Sequence, residues 1–244
     1  MKTALITGAL GGIGQALCSE FQQAGYFVIG TDKREGKCAC DAFLHVDVRD
    51  LYTNTDIRAK VMADVRTIVG PHGLKVLVNN AATQVLNKTD DVKIEDWDAT
   101  LETNLVAPFL LVQGLLSELE KAKGSVVNIA SIHAVATKPG FVCYATSKAA
   151  LVGMTRALAV DLGPRVRINA INPAATATPM LLAGFEGKPK QFEELSKMHP
   201  LERIAQPAEV AKTALFLASD DAAYITGSVL HIDGGIGSRL HDPV

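Results

Sequence analysis

The amino-acid sequence predicts an α/β protein whose parallel sheet is covered by helices on both faces. Short apolar runs recur along the chain without the apolar–polar alternation of a half-exposed strand, which is typical of strands buried on both sides. Segments with helical character separate these runs and provide the long crossovers that parallel pairing requires. Several apolar runs also end in glycine or polar residues, where open α/β sheets bind their ligands.

Composition favours one domain over two. The chain has 244 residues, of which 48% are hydrophobic and 20% are charged. It contains no internal repeat, low-complexity run or Pro/Ser-rich linker that would mark a domain boundary. We therefore expect residues 1–244 to form a single domain.

The charge balance argues against a nucleic-acid partner. Lys and Arg number 24 and Asp and Glu 26, which gives a formal charge of -2 rather than a basic surface. No apolar stretch approaches the length of a membrane-spanning helix, and dense glycines distinguish the apolar start from a signal peptide. The expectation is a cytoplasmic protein that binds neither nucleic acid nor membrane.

Cysteine usage predicts neither a disulfide framework nor a metal site. The chain has four cysteines, Cys18, Cys38, Cys40 and Cys143, which are few for its length. Cys38 and Cys40 form a C-x-C that could in principle bind a metal, but no second pair with ligand spacing accompanies them.

The first strand leads into a glycine-rich turn. Residues 2–7 form an apolar, β-prone run, and residues 15–24 have helical character that ends at Gly25. Between them lies T-G-A-L-G-G-I-G, whose glycines allow a pyrophosphate to approach the backbone and the helix N-terminus. Its spacing, G-x-x-x-G-x-G, departs from the G-x-G-x-x-G fingerprint, so the turn alone is weak evidence for a dinucleotide site.

The second strand, residues 26–31, ends in Asp32. A carboxylate at this position suits the hydroxyls of an adenosine ribose and repels a 2′-phosphate, which favours NAD(H) as the cofactor. Lys33 and Arg34 follow directly and could argue for NADP(H) instead. A loop aspartate with no ligand is the third interpretation of Asp32.

The remaining elements follow in the same alternation. Further strands are predicted at residues 41–48, 74–78, 124–130, 166–171 and 229–232. Helices are predicted at residues 55–69, 94–119 and 207–219, and another begins just after the break at Pro139-Gly140 and runs to about residue 163. Residues 180–201 mix apolar side chains with glycine and proline and are expected to form a mobile lid.

Residues 131–148 contain a hydroxyl, a phenol and an ammonium. Tyr144 and Lys148 are four residues apart, so a helix would place them on one face. A lysine ammonium at ~4 Å is worth about 4 kcal/mol at an effective dielectric near 20, enough to lower the pKa of a tyrosine from about 10 toward neutrality. Ser131 ends the preceding strand and adds a hydrogen-bonding hydroxyl. Taken alone, the pair could also be an ordinary exposed amphipathic pair.

Together these motifs resemble the short-chain dehydrogenase/reductase family over essentially the whole chain. The motifs that carry the resemblance, in the order and at the spacing of the family, are Thr7-Gly8 to Gly14, Asn79-Asn80-Ala81, Asn104, Ser131, Tyr144 with Lys148, and Asn172-Pro173. The resemblance implies a Rossmann-like doubly wound fold, with a seven-stranded parallel sheet between two layers of helices. It also implies assembly as a homotetramer or homodimer.

The resemblance further implies roles for individual residues. Tyr144 would be the general acid or base, Lys148 would lower its pKa and hold the nicotinamide ribose, and Ser131 would orient the substrate oxygen. Asn104 would support a water that links Lys148 to solvent. The implied cofactor-binding residues are Gly8, Leu10, Gly11, Ile13, Gly14, Asp32, Asp47, Val48, Asn80, Ala81, Tyr144, Lys148, Pro173, Thr176 and Thr178.

Three residues depart from the family pattern near the cofactor: Ala82 and Ala174 replace glycines, and Thr176 replaces a common Val or Ile. The implied substrate pocket contains Gln84, His133, Phe141, Met180 and Phe185. Their mixture of polar and apolar side chains suits a sugar, a hydroxy acid or a small alicyclic alcohol.

Three functions are therefore considered. The first is an NAD-dependent oxidoreductase that acts on a secondary alcohol or its ketone. The second is an NADPH-dependent carbonyl reductase similar to 3-oxoacyl reductases, and the third is a non-catalytic nucleotide-binding redox sensor. All four implied catalytic groups are present, which argues against the sensor because a sensor has no need of a tuned phenol.

Overall fold

A computed structural model of the chain describes residues 1–240, and these contain one seven-stranded sheet in which all paired strands are parallel. The strand order is β3-β2-β1-β4-β5-β6-β7. The strands are β1 Thr3–Thr7, β2 Phe27–Asp32, β3 Ala42–His45, β4 Val76–Asn79, β5 Ser125–Ile129, β6 Arg167–Pro173 and β7 Val229–Ile232. The order reverses direction at β1 and β4, and open α/β sheets bind ligands at such a switch point.

Within residues 1–240, ten α-helices accompany the strands. They are α1 Gly12–Gln23, α2 Asp50–Thr53, α3 Thr55–Val69, α4 Ile94–Leu101, α5 Ala107–Gly114, α6 Leu116–Lys121, α7 Val142–Leu162, α8 Pro179–Gly184, α9 Pro189–Met198 and α10 Pro207–Ala218. None of the described helices is long and apolar enough to cross a membrane.

Two apolar cores lie on opposite faces of the sheet. Successive residues of a strand point to opposite faces, so Leu5 belongs to one core and its neighbours Ala4 and Ile6 to the other. The core around Leu5 includes side chains from α3, α5 and α6, whereas α1 and α10 supply the helical side of the second core. Burial on both faces explains the unbroken apolar runs of the strands, and the predicted doubly wound fold is confirmed.

The predicted helix over residues 94–119 is wrong as a continuous element. It consists of α4, a π-helical stretch Glu102–Val106, α5 and α6. Pro108 has no N–H to donate to the carbonyl four residues earlier, that of Asn104, so regular α-helical pairing is interrupted there. Asn104 consequently lies in the π-helical stretch.

The third strand also differs from expectation, and the expected lid has regular structure. The third strand ends at His45, so Asp47 and Val48 lie in the following turn rather than in the strand. The segment expected to form a lid contains two helices, α8 and α9, each of which begins with a proline at its first helical position. Proline suits that position because its missing N–H has no helical partner there.

Candidate active site

The glycine-rich turn between β1 and α1 is closed to side chains. Gly8 has φ +65°, and a Cβ there would lie 2.9 Å from the Cα of Ala81. A Cβ on Gly14 would lie 1.9 Å from the Gly8 carbonyl oxygen, and one on Gly12 2.9 Å from Thr178 and Pro179. Glycine therefore lets this turn pack tightly against Ala81 and Thr178, and α1 begins beside it with its N-terminal N–H groups.

Hydrogen bonds join the ends of β1 and β4. The Thr7 hydroxyl accepts the backbone N–H groups of Asn80 and Ala81, each at 2.9 Å. The Asn80 amide donates to the carbonyls of Thr7 at 2.8 Å and Gly8 at 3.1 Å. These bonds hold the predicted ribose-contacting residues Asn80 and Ala81 against the turn.

The Asp32 carboxylate lies at the end of β2 and is 7% exposed. It accepts the Leu10 N–H at 3.0 Å and three donors of Arg34, the backbone N–H and Nε at 3.0 Å and Nη2 at 3.2 Å. Burial acts to raise the pKa of Asp32, but hydrogen bonds from Arg34 and Leu10 outweigh it and hold the pKa below its usual value. Asp32 is thus ionised at neutral pH, and part of its hydrogen-bonding capacity is used by the salt bridge with Arg34.

Four other residues assigned to the cofactor are held by contacts within the protein or are buried. Asp47 accepts the Arg49 N–H at 3.0 Å and lies 4.0 Å from the Lys33 ammonium, while Val48 is buried. Thr178 caps α8 by accepting the Leu181 N–H at 3.3 Å. The Thr176 hydroxyl is directed to the Ala174 carbonyl at 3.1 Å, which satisfies the polar group that distinguishes this position.

Ser131, Tyr144 and Lys148 converge at the carboxyl end of β5. Ser131 follows this strand, and its hydroxyl accepts the His133 N–H at 3.2 Å and lies near enough to the Tyr144 phenol to influence its pKa. Tyr144 and Lys148 lie on α7, with the Lys148 Nζ 5.6 Å from the centre of the Tyr144 ring. Lys148 is 2% exposed and donates to the Ile129 carbonyl at 2.8 Å.

Asn104 connects this group to the chain after β4. Its amide donates to the Thr83 carbonyl and to the Ser147 hydroxyl, both at 2.9 Å, and its carbonyl accepts the Thr83 N–H at 2.8 Å. Ser147 immediately precedes Lys148, so Asn104 fixes α7 relative to β4. Asn104 is 1% exposed, so these hydrogen bonds within the protein take the place of solvent.

The pKa of Tyr144 differs from the sequence-based expectation. Burial raises it above its usual value, and the neighbouring Ser131 hydroxyl opposes only part of that rise. Burial also lowers the pKa of Lys148 to about 8. Both shifts have one physical cause: in this site a low dielectric penalises the phenolate and the ammonium alike.

Two of the five predicted substrate residues lie at Tyr144. His133 stacks on Phe141 with ring centres 4.2 Å apart and planes 5° apart, and both rings meet Tyr144 edge-on, at 5.7 Å and 6.2 Å. His133 Nδ1 is 2.8 Å from the Thr137 hydroxyl, and burial lowers its pKa.

The other three predicted substrate residues are not drawn into this cluster. Phe185 instead packs edge-on against Phe192 of α9, with ring centres 5.6 Å apart. Gln84 and Met180 are exposed to solvent.

Sequence reasoning missed several structural partners of the site. Thr7 was named as part of the glycine-rich motif, but its role as acceptor for the Asn80 and Ala81 N–H groups was not predicted. Asn128 joins β4, β5 and α7 by accepting the Asn79 amide at 2.8 Å and donating to Thr155 at 2.9 Å; its signal is a polar residue within an apolar run. Nothing in the spacing of Asp32 and Arg34 indicated their salt bridge.

Comparison with known proteins finds relatives over almost the whole chain. Residues 8–237 match the family described as enoyl-(acyl carrier protein) reductase. A 3-oxoacyl-(acyl-carrier-protein) reductase, FabG of Thermotoga maritima, is 38% identical, with 96% of this chain and 97% of the relative covered. The NAD-dependent glycerol dehydrogenase of Listeria innocua is 36% identical, with 96% and 93% covered. The ligand-free structure of Thermoplasma acidophilum aldohexose dehydrogenase superposes with a TM-score of 0.92 at 30% identity, covering 100% of this chain and 96% of that one.

Proposed function

Because this chain belongs to the short-chain dehydrogenase/reductase family of oxidoreductases, we propose that it transfers a hydride between NAD(H) and a secondary alcohol or its ketone. The observation that carries the proposal is the convergence of Ser131, Tyr144 and Lys148 at the carboxyl end of β5. These groups lie on the side of the sheet where the glycine-rich turn exposes its backbone.

The residues present fit a nicotinamide dinucleotide. The turn at Gly8 and Gly14 is packed without side chains and leads into the N-terminus of α1, which suits a pyrophosphate, and a buried carboxylate stands at the end of β2. In this proposal the other pyrophosphate contacts come from Leu10, Gly11 and Ile13. Asp47 and Val48 contact the adenine, Asn80 and Ala81 a ribose, and Pro173, Thr176 and Thr178 the nicotinamide end. The bound cofactor supplies or accepts the hydride, and the protein supplies position and proton transfer.

Tyr144 is proposed to exchange a proton with the substrate oxygen. Its raised pKa keeps the phenol protonated at neutral pH, which is the form that donates a proton to a carbonyl oxygen during reduction. Ser131 can hydrogen-bond the same oxygen because it contacts the phenol. Lys148, with a pKa of about 8, is mainly protonated at pH 7, so its charge favours the phenolate that remains. Asn104 is proposed to hold this proton path in position through Ser147.

NAD(H) is proposed as the preferred cofactor because the buried, ionised Asp32 would repel a 2′-phosphate. The second candidate is an NADPH-dependent carbonyl reductase, and one observation favours it. Arg34 already pairs with Asp32, and Lys33 is exposed beside it, so two cations are present where a 2′-phosphate would lie. The preference therefore depends on the balance between one buried carboxylate and two exposed cations.

His133 and Phe141 are proposed to form the substrate wall closest to Tyr144. With Nδ1 hydrogen-bonded to Thr137, the remaining ring nitrogen of His133 can bind an oxygen of the substrate. The stacked Phe141 ring adds an apolar surface. A small, oxygen-bearing alcohol or ketone fits this pairing, with Gln84, Met180 and Phe185 at the outer rim.

The direct test is turnover with a panel of secondary alcohols and ketones, followed by nicotinamide absorbance with NAD(H) and NADP(H). Tyr144→Phe should lose at least 100-fold in kcat/KM, since general acid–base catalysis contributes roughly 10²- to 10⁴-fold. Tyr224→Phe, at a fully exposed tyrosine, is the matched control and should keep full activity. Undiminished turnover by Tyr144→Phe would refute the mechanism. Tight NAD(H) binding without turnover on any substrate would support a non-catalytic sensor instead.

We also propose that the chain is one domain, acts in the cytoplasm and assembles as a homotetramer or homodimer. Exposed apolar side chains on two surfaces support the assembly: Val160 on α7 is 83% exposed and Phe216 on α10 is 42% exposed. Light scattering of the purified protein measures the assembly directly.

A further inference from the structure

Cys38 and Cys40 form a disulfide in the segment between β2 and β3. Neither a C-x-C metal site nor two free thiols is present in this structure, because their Cα atoms lie 5.4 Å apart, within bridging range. The other two cysteines, Cys18 and Cys143, are free and buried. The disulfide begins six residues after Asp32, in the segment that leaves the proposed adenosine site.

The disulfide packs directly on β2. A Cβ built on Gly30 would lie 3.1 Å from the Cys38 sulfur and 3.2 Å from the Cys40 sulfur, so both sulfurs occupy the space a side chain would fill. The same Cβ would lie 3.0 Å from the Cβ of Ala9, in the glycine-rich turn. One disulfide therefore contacts the strand that carries Asp32 and neighbours the turn proposed for the pyrophosphate.

The segment that contains the disulfide, residues 33–41, is anchored at both ends. At its far end, the Asp41 N–H donates to the Val28 carbonyl at 2.8 Å, and the Asp41 carboxylate accepts the Val28 N–H at 2.7 Å. At its near end, Arg34 bonds with Asp32. Between these anchors, residues 33–37 are exposed, and a Cβ on Gly36 would lie 2.9 Å from the Leu10 side chain. The loop thus lies over the turn and beside the carboxylate that the proposed function assigns to the ribose.

We propose that the Cys38–Cys40 pair is a redox site whose reduction weakens binding at the adenosine end of the dinucleotide site. The inference rests on the proposed cofactor site and adds a control over it. Two thiols need more room than two bonded sulfurs, and the space above Gly30 is already filled. Reduction therefore displaces residues 36–40 outward and frees the loop that holds Arg34 at Asp32, which removes preorganisation from the ribose site.

The redox step needs an external dithiol as reductant. One thiolate of the dithiol attacks either Cys38 or Cys40 sulfur, and the other cysteine leaves as a thiolate that takes up a proton. The second thiol of the reductant then attacks the reductant's sulfur in the mixed disulfide and releases the remaining cysteine as a thiol. Two electrons and two protons pass to the protein, and the reductant becomes a disulfide; oxidation by a disulfide reagent is the reverse.

The other cysteines do not compete for this chemistry. Burial raises the pKa of Cys18 to about 12 and also raises the pKa of Cys143, so neither forms the reactive thiolate readily. Cys38 and Cys40 are only half-buried, and Lys37 and Ala39 beside them are exposed, so a reagent can reach the sulfurs.

The test compares oxidised and dithiothreitol-reduced full-length protein, with thiols at both positions counted by alkylation and mass spectrometry. Calorimetry measures binding of ADP-ribose, which carries the adenosine end, and of nicotinamide mononucleotide, which does not. Reduction should weaken ADP-ribose binding about three- to tenfold, equivalent to one or two lost hydrogen bonds, and reoxidation should restore it. Nicotinamide mononucleotide binding should not change, which separates a local effect from general destabilisation.

Two variants complete the experiment. The double variant Cys38→Ser/Cys40→Ser should bind ADP-ribose like reduced protein under both conditions, whereas Cys143→Ala should keep the full response. The inference would be overturned by equal ADP-ribose affinity in the oxidised and reduced states, or by equal changes for ADP-ribose and nicotinamide mononucleotide. It would also be overturned if the double variant responded to reduction, or if free thiols remained at both positions after oxidation. A redox effect without turnover on any substrate would refute the proposed enzyme and leave the redox site standing. Turnover without a redox effect would refute the redox site and leave the proposed enzyme standing.

Discussion

Cofactor choice provides the sharpest prediction, because Asp32 and Arg34 act on a 2′-phosphate in opposite directions. Arg34→Ala removes the cation that neutralises Asp32 and leaves a buried, unpaired carboxylate at the ribose site. Asp32→Asn removes the carboxylate charge and leaves Arg34 free. The first variant should discriminate more strongly against NADP(H) than the natural chain, and the second should discriminate less.

The magnitude follows from the exposure of the two groups. Opposite unit charges at ~4 Å are worth about 4 kcal/mol at an effective dielectric near 20, but exposed ion pairs retain only ~1 kcal/mol after screening. The Arg34 side chain is 58% exposed and the Asp32 side chain 6%. Arg34→Ala should therefore raise the preference for NADH over NADPH about fivefold, and Asp32→Asn should lower it by about tenfold or more.

Fluorescence titration with NADH and NADPH gives the ratio of dissociation constants without any substrate. Arg34→Lys is the matched control, since it keeps the charge while losing the two-pronged contact, and it should change the ratio less than Arg34→Ala. Shifts in the same direction for Arg34→Ala and Asp32→Asn would refute the reasoning. So would a natural chain that already prefers NADPH, because Asp32 would then not decide the cofactor.

Two further predictions concern the turn and the buried lysine. Gly14→Ala should weaken NADH binding at least tenfold because its Cβ would lie 1.9 Å from a backbone oxygen. The control Gly153→Ala, whose Cβ would have nothing within 4 Å, should bind NADH normally and gain up to about 1 kcal/mol of stability. Equal NADH binding by both variants would contradict the prediction for the turn. The Lys148 pKa of about 8 in the folded chain lies below the ordinary 10.5, so the unfolded chain binds more protons between these values and stability due to Lys148 rises with pH there. Between pH 8 and 9.5 the natural chain should gain roughly 1 to 2 kcal/mol of unfolding free energy relative to Lys148→Met in urea titrations. A constant difference between the two would show that Lys148 is not desolvated.

The boundaries of several elements were predictable because local rules govern them. Residues 55–69 are helical as predicted, since Asn54 caps the N-terminus and Gly70 and Pro71 stop the helix. The strand Val229–Ile232 is likewise confirmed. The prediction of one helix over residues 94–119 was wrong because the chain is interrupted near Pro108 by the π-helical stretch that contains Asn104. The short helix Asp50–Thr53 was not predicted because four residues are too few to show a helical period.

What the sequence determined by itself is the alternation of buried strands with helices, the glycine turn, and the order of Asn104, Ser131, Tyr144 and Lys148. Periodicity and residue type carry that information because each depends on neighbours in the chain. The tertiary structure decided how those groups are charged and what holds them. Burial raises the pKa of Tyr144 where spacing suggested a lowered one, and Arg34 occupies the carboxylate of Asp32. Both effects depend on solvent exclusion and on contacts between distant segments, which only the folded chain creates.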